Sequence, residues 1–364
     1  MKIKKAVLTG GGRATRLWPI TTTVNKHLLP LANKPMIFHA IERVVEAGVT
    51  EIFINTNPGE TELQKAVGDG SRWGVRIEFF EQTGGPQGIA HVVYLAKKFI
   101  GNDPFIFYLS DNIFLSITDI VETFYEEEHD CMLVFTKVPD PERFGVPVFD
   151  DSGALVDVLE KPKNPPNSFA QTGLYLYGPK VFFDAFDHIE KSARGEYEIS
   201  SIHSYLLKNK YSVGYQEITG YWKDTGKPED LIKANQLLLE TMHVEEFVVA
   251  SNLVAPEAHI EGAVSVGEGT KIGEGVKIVG PVVIGEHCVL EECVIGPNVS
   301  LGSGSNVRDA MIRDSIVLDH VTVRGQMNLA DCLIGKYASV MNLSGATFRG
   351  AQRLILGDKT VVEW

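Results

Sequence analysis

Residues 254–290 read VAPEAHIEGAVSVGEGTKIGEGVKIVGPVVIGEHCVL, in which Val254, Ile260, Val266, Ile272, Ile278, Ile284 and Leu290 stand six apart. No α-helix and no ordinary alternating strand keeps a period of six. Repeats of this length build a parallel β-helix, in which each apolar residue points inward and stacks on the coil beneath it. After a register shift the period resumes at Ile295, Leu301 and Val307, then more loosely at Ile312, Leu318, Leu329, Ile334 and Val340. We therefore expect a left-handed parallel β-helix domain over residues 250–364.

Working back toward the N-terminus, the pattern changes to short apolar runs alternating with amphipathic stretches, the mark of βα units around a mainly parallel, Rossmann-like sheet. Ala6-Val7-Leu8 reads as the first strand and Glu51–Asn55 as the second. Between them a helix near Met36–Ala47 carries Ile37, Ile41, Val44 and Val45 on one face. Phe105–Leu109 is a continuous apolar run ending at Asp111, as a central strand delivering a carboxylate to the ligand-binding edge of an open sheet would be. Thr225–Val248 is expected to be the helical connection, so the chain divides into a catalytic domain, 1–240, and the β-helix, 250–364. This assigns the α/β fold class to the first part.

With 364 residues, two domains are the reasonable starting point. A net charge of −13 argues against a broad nucleic-acid surface, which needs Lys and Arg to displace counterions, but permits a local phosphate pocket. No apolar run is long enough to span a membrane, and Ala6-Val7-Leu8 is broken at once by Thr9 and three glycines, unlike the core of a signal peptide. We expect a cytoplasmic protein without membrane or nucleic-acid partners. Cys131, Cys288, Cys293 and Cys332 form no CxxC pair and read as buried free thiols.

The first strand runs into Gly10-Gly11-Gly12-Arg13-Ala14-Thr15-Arg16-Leu17-Trp18-Pro19. Its small residues let backbone N–H groups approach phosphate oxygens. The loop lacks the Lys-Ser/Thr ending of a P-loop and the spacing of a dinucleotide-binding turn. It is followed by Lys26 in Asn25-Lys26-His27-Leu28-Leu29-Pro30 and then by Asn33-Lys34-Pro35-Met36. Taken alone, Asp111 and Asp224 could be a turn cap and a surface ion pair, Gln82 plain surface, and Glu160-Lys161 a solvated pair.

With these motifs together the chain resembles the nucleoside-diphosphate-sugar pyrophosphorylases, whose signature is G-G-x-G-T-R-L-x-P followed by a lysine in K-x-L-L-P. The likeness continues through Gly68–Gly74, Gln82, Gly88-Ile89-Ala90, Asp111–Phe114, Arg143–Val146, Glu160-Lys161-Pro162, Thr172–Tyr175 and Tyr221–Gly226. With the β-helix included it is similar to the long-form thymidylyltransferase branch of that family. Ala14 stands where the family usually has glycine, the Gln82–Gly88 segment is one residue longer than its pattern, and Ser200-Ser201 departs from its Thr-Asp.

The resemblance implies nucleotidyl transfer from dTTP to glucose 1-phosphate with Mg²⁺ as cofactor. Arg16, Lys26 and Lys161 are the implied catalytic cations, and Gly10, Gly11, Gly12, Thr15, Gln82 and Gly88 the implied nucleotide contacts. Asp111 and Asp224 would hold the metal, their two carboxylates supplying hard oxygen ligands and leaving other positions to water and phosphate. Gly145, Glu160, Lys161, Gly173, Tyr175, Arg194 and Glu196 would bind the sugar phosphate. The attacking oxygen is already ionised at neutral pH, so no general base is assigned. Other readings remain open: a UTP- or ATP-dependent enzyme, a bifunctional enzyme whose β-helix also transfers acyl groups through His259, His287 or His320, and a non-catalytic subunit. The β-helix is expected to support homo-oligomer assembly and to take no part in the chemistry.

Overall fold

The computed structural model describes residues 2–12, 14–83, 85, 87–218, 222–241 and 253–364. The expected helical link therefore lies within the described residues only as far as Thr241. The chain forms two compact units that are not consecutive in sequence: Met1–Gly12 with Ile37–Asp224, and Arg13–Met36 with Thr225–Trp364. This differs from a single linear boundary near residue 245. The short turns of segment 14–36 carry little regular structure of their own, and they pack with the C-terminal coils.

The first unit is built on a seven-stranded sheet. Its strands, together with shorter ones beside it, are β1 (Lys5–Thr9), β2 (Glu51–Thr56), β3 (Arg76–Glu81), β4 (Phe105–Tyr108), β5 (Asn112–Phe114), β6 (Cys131–Lys137), β7 (Gly145–Phe149), β8 (Leu155–Glu160), β9 (Phe169–Tyr177), β10 (Val213–Glu217) and β11 (Trp222–Asp224). The large sheet has the order β10-β6-β9-β4-β1-β2-β3. Every pairing in it is parallel except those of β9, which runs against β4 and β6. All four residues of β4 are buried, as a strand covered on both faces requires. Helix α1 (Met36–Glu46) takes the place read from its apolar face. Two antiparallel pairs, β7 with β8 and β5 with β11, add to this sheet the loops where chemistry-bearing residues gather.

In the second unit the six-residue period becomes three stacked columns. Ile260, Ile278, Ile295, Ile312 and Leu329 pair in register up one face. Val266, Ile284, Leu301, Val317, Ile334 and Leu356 form a second column, and Ile272, Leu290, Val307, Val323, Val340 and Val362 a third. All these pairings are parallel, so the second unit is a parallel β-helix. Val264 pairs with a residue eighteen positions on, three repeats of six, while Val282 pairs with Val299, seventeen on. Loss of one residue per coil is the register shift seen after Leu290. From Leu301 the step shortens again, to sixteen, which puts the second column on Val317 and not on the expected Leu318, although Leu318 is buried as well. The four cysteines are free and buried, and the C-terminal run supplies the final coil through strands Ile355–Leu356 and Val361–Glu363.

Ile295 is fully buried between Ile278 and Ile312. Ile295→Ala should therefore destabilise the coils by about 2–5 kcal/mol, the usual cost of a large-to-small core change, read as a lower denaturation midpoint.

Candidate active site

The glycine-rich loop is held by two asparagines at the end of β2. Thr9 pairs with Asn55 in the sheet, so the chain leaving β1 passes beside that strand's end. The Gly10 N–H donates to Asn55 Oδ1 at 3.0 Å, and the Asn55 amide donates to Gln82 Oε1 at 3.4 Å. The Gly12 N–H donates to Asn57 Oδ1 at 2.9 Å, while the Asn57 amide returns a bond to the Gly12 carbonyl at 3.2 Å. A Cβ on Gly10 would lie 2.6 Å from the Asn55 carbonyl oxygen. Glycine is therefore required there by strand packing. Gly88, with φ +93°, is pressed against the backbone of Tyr197, where a Cβ would meet the carbonyl oxygen at 2.4 Å.

β5 and β11 pair antiparallel with Asp224 opposite Asn112, so the backbones of Asp224 and of Asp111, the residue before Asn112, are neighbours. Asn112 is the clamp of this region. Its Oδ1 accepts from the Gly173 N–H at 2.9 Å and from Trp222 Nε1 at 2.7 Å, and its amide donates to Asp111 Oδ1 at 3.0 Å. A Cβ on Gly173 would fall 2.6 Å from Asn112 Cγ and 2.7 Å from Leu109 Cβ. Arg143, paired with Asp140 at 2.5 Å, brings its guanidinium to 3.6 Å from Asp224. Among the described residues no group of three or more His, Cys, Asp or Glu could hold a metal. The pair Asp111 and Asp224 nevertheless fits a hard cation that keeps water and phosphate oxygens in its other positions.

A second cluster surrounds Glu160 at the end of β8. Glu160 Oε1 faces Lys161 Nζ at 3.1 Å and Arg194 Nη2 at 2.9 Å, and Oε2 accepts from the Ser200 hydroxyl at 3.0 Å. Arg194 is fixed by the buried Glu198 at 2.7 Å and lies 3.7 Å from Glu196. Burial pushes the Tyr175 phenol well up, with the Glu160 and Asp111 carboxylates adding to the effect. Both carboxylates thus act on one ring. Behind it lies a buried chain: Gln171 donates to His203 Nδ1 at 2.7 Å, and Nε2, which then carries the proton, donates to the Tyr177 hydroxyl at 2.7 Å. A Cβ on Gly145 would lie 2.7 Å from Gln171 Oε1, so this chain supports the backbone at Gly145.

Thr15, Arg16 and Lys26 belong to the second unit. Thr15 and Arg16 are exposed, and Lys26 is buried at the start of a short turn capped by Asn25, whose side chain accepts from the His27 N–H at 2.8 Å. Ala14, in the place of the usual glycine, does adopt a left-handed conformation with φ 43°. That costs an L-residue about 1–2 kcal/mol relative to the right-handed region.

The chain matches the nucleotidyl transferase family over residues 5–241. The chain belongs to the nucleotidyl transferase family. It is 37% identical to a low-salt glycan biosynthesis nucleotidyltransferase, Agl11, of Haloferax volcanii, over 98% of this chain and 99% of that one. Likeness to a glucose-1-phosphate thymidylyltransferase of Streptomyces griseus is 36%, over 97% and 98%. A Bacillus anthracis protein crystallised with sucrose and provisionally named glucose-1-phosphate thymidylyltransferase superposes with a TM-score of 0.60 at 36% identity, covering 66% of this chain and 96% of that one. No described helix is long and apolar enough to cross a membrane.

In this nucleotidyl transferase chain the supporting residues Asn55, Asn57, Gln171 and His203 carry no signal of their own in the sequence, while Asn112 lies in the family stretch Asp111–Phe114 without a role read for it. Ser200, unexplained before, holds Glu160. Of the β-helix histidines, His287 and His320 occupy left-handed corners, where their rings cover Gly269 and Gly304, and His320 stacks on Tyr337. His259 pairs with Glu261 at 2.8 Å.

Gly173→Ala should displace Asn112 and loosen Asp111, costing about 1–3 kcal/mol as overpacking does and lowering nucleotidyl transfer, with a melting curve and pyrophosphate release as the two measurements. Burial lowers the His203 pKa from 6.5 to about 3. The native imidazole stays neutral while the unfolded one protonates, so stability is lost as pH falls from about 6.5 toward about 3, by about 1.4 kcal/mol per pH unit. In His203→Gln this part of the slope should vanish, as denaturant titrations between pH 7 and 5 will read.

Proposed function

We propose that this protein transfers a thymidylyl group from dTTP to glucose 1-phosphate, yielding dTDP-glucose and pyrophosphate. The observation that carries the reading is the likeness to glucose-1-phosphate thymidylyltransferase along nearly the whole chain, joined to a cluster suited to a sugar phosphate. A phosphate oxygen of glucose 1-phosphate attacks the α-phosphorus of dTTP, forming one P–O bond. The bond from that phosphorus to the bridging oxygen breaks, and its electrons leave with pyrophosphate.

The attacking oxygen is already anionic, so the protein's task is positioning and charge neutralisation. Arg16 and Lys26 neutralise the departing phosphates. Lys161 grips the sugar phosphate, and Glu160 and Glu196 accept from sugar hydroxyls, with Arg194 as a further phosphate ligand. The backbone at Gly145 and Gly173 gives the hexose close approach, with Tyr175 closing the pocket. Gly10, Gly11, Gly12, Thr15 and Gly88 shape the nucleotide side, where Gln82 presents a donor and an acceptor to the pyrimidine edge. Asp111 and Asp224 would hold Mg²⁺, which would supply positive charge to the phosphates.

Pyrophosphate release should be fastest with dTTP and glucose 1-phosphate when nucleotides are compared at matched concentration. A larger kcat/KM for ATP or GTP would overturn the reading, whereas near equality with UTP would reassign the base alone, since a thymine methyl discriminates by only about 1–3 kcal/mol. Asp224→Asn should keep the fold and lower kcat by orders of magnitude, with wild-type turnover at limiting Mg²⁺ counting against the metal role.

A further inference from the structure

We infer that the β-helix positions the segment that bears Arg16 and Lys26, with Asn33, Asn235 and Thr23 as positioning residues; the inference rests on the nucleotidyl-transfer reading. Residues 14–36 contain three short 3₁₀ turns and one two-residue hairpin. Local hydrogen bonds of this kind set the shape of each turn but not where the segment lies. Inside the second unit the segment is tied to the rest of that unit at two places.

The first is the hairpin Pro30–Leu31 with Lys34–Pro35, whose corner residues Ala32 and Asn33 have φ of 48° and 58°. Ala32 bears the cost of a left-handed backbone, and its N–H donates at 2.8 Å to Oδ1 of Asn235 in helix α2 (Pro228–Thr241). The same oxygen accepts from the Ser300 hydroxyl of the β-helix at 2.7 Å. One fully buried atom therefore joins hairpin, helix and coil. The Asn33 amide donates to the Leu301 carbonyl of the same coil at 2.8 Å.

The second place is the turn at residues 19–23. The Thr23 hydroxyl donates to Asp358 Oδ2 at 2.7 Å, while Asp358 Oδ1 accepts from the Lys336 N–H at 2.8 Å. Gly357 passes so near that a Cβ there would lie 3.1 Å from the Pro19 carbonyl oxygen. Lys26 stands between these anchors in the chain, and Arg16 three residues before the turn at 19–23. In a reaction run by positioned cations, an error of about 1 Å costs up to about a hundredfold. On this inference the coils serve catalysis by placing these two cations, in addition to any role in assembly.

The test uses full-length protein and two readouts, calorimetric binding of inorganic pyrophosphate with Mg²⁺ and steady-state kinetics. Asn33→Gly keeps the left-handed corner and deletes only the amide. It should raise both the pyrophosphate Kd and the dTTP KM by about ten- to a hundredfold, leaving the KM for glucose 1-phosphate unchanged. Thr23→Val should act in the same direction and Thr23→Ser should restore wild-type values, a rescue that a general loss of stability would not show. If Asn33→Gly fails to fold, the Thr23 pair decides. Variants that fold and bind pyrophosphate as wild type does overturn the inference alone. A wild-type protein that neither binds pyrophosphate nor turns over defeats the parent reading, and the inference falls with it.

Discussion

The side chain of Asn112 holds together much of what matters in the first unit. One buried amide accepts from the Gly173 backbone and the Trp222 indole while donating to Asp111. It thereby ties the end of the central strand β4 to β9 and β11, and the two candidate metal carboxylates hang on this joint. A buried amide has its donors and acceptors at fixed angles, and leaving any of them unpaired costs the full desolvation of that group. That penalty is what makes the joint stiff. It also explains why Gly173 has no room for a methyl group: the N–H that Asn112 binds must come within hydrogen-bond distance, so the α-carbon beside it comes close too.

The Glu160 cluster obeys a different logic. Both oxygens of Glu160 already have partners, two cationic and one hydroxyl. An incoming sugar phosphate would share these groups, so it meets charges already arranged for it and little reorganisation is needed. The rigid part lies underneath, where Gln171, His203 and Tyr177 form a buried chain of neutral donors and acceptors. Neutrality is imposed by burial, which makes an imidazolium too costly at this depth.

The β-helix illustrates how a simple repeat acquires a particular use. Stacked columns of Ile, Val and Leu make a stiff prism, whose coils offer a backbone carbonyl at Leu301, a hydroxyl at Ser300 and a carboxylate at Asp358. Asn33, Asn235 and Thr23 use three such points. His287 and His320 at the corners lie against Gly269 and Gly304 of the preceding coil, leaving those positions no room for a Cβ.

The amino-acid sequence alone determined the β-helix, the mainly parallel sheet, the free thiols and the family, because each depends on local spacing. A period of six, short apolar runs followed by amphipathic stretches, and an ungapped signature from Lys5 to Ile37 are all one-dimensional facts. Even the strain at Ala14 was legible as a departure from glycine, and it appears as a φ of 43°. Tertiary structure alone decided that Asn55, Asn112 and His203 are structural keys, since an isolated Asn or His looks the same on a surface as in a core until its neighbours are known. It also decided that residues 14–36 pack with coils nearly three hundred positions away in the chain. Hydrogen bonds such as Asn33 to Leu301 follow no period, and their partners are chosen by the geometry of the folded chain, so no local pattern announces them.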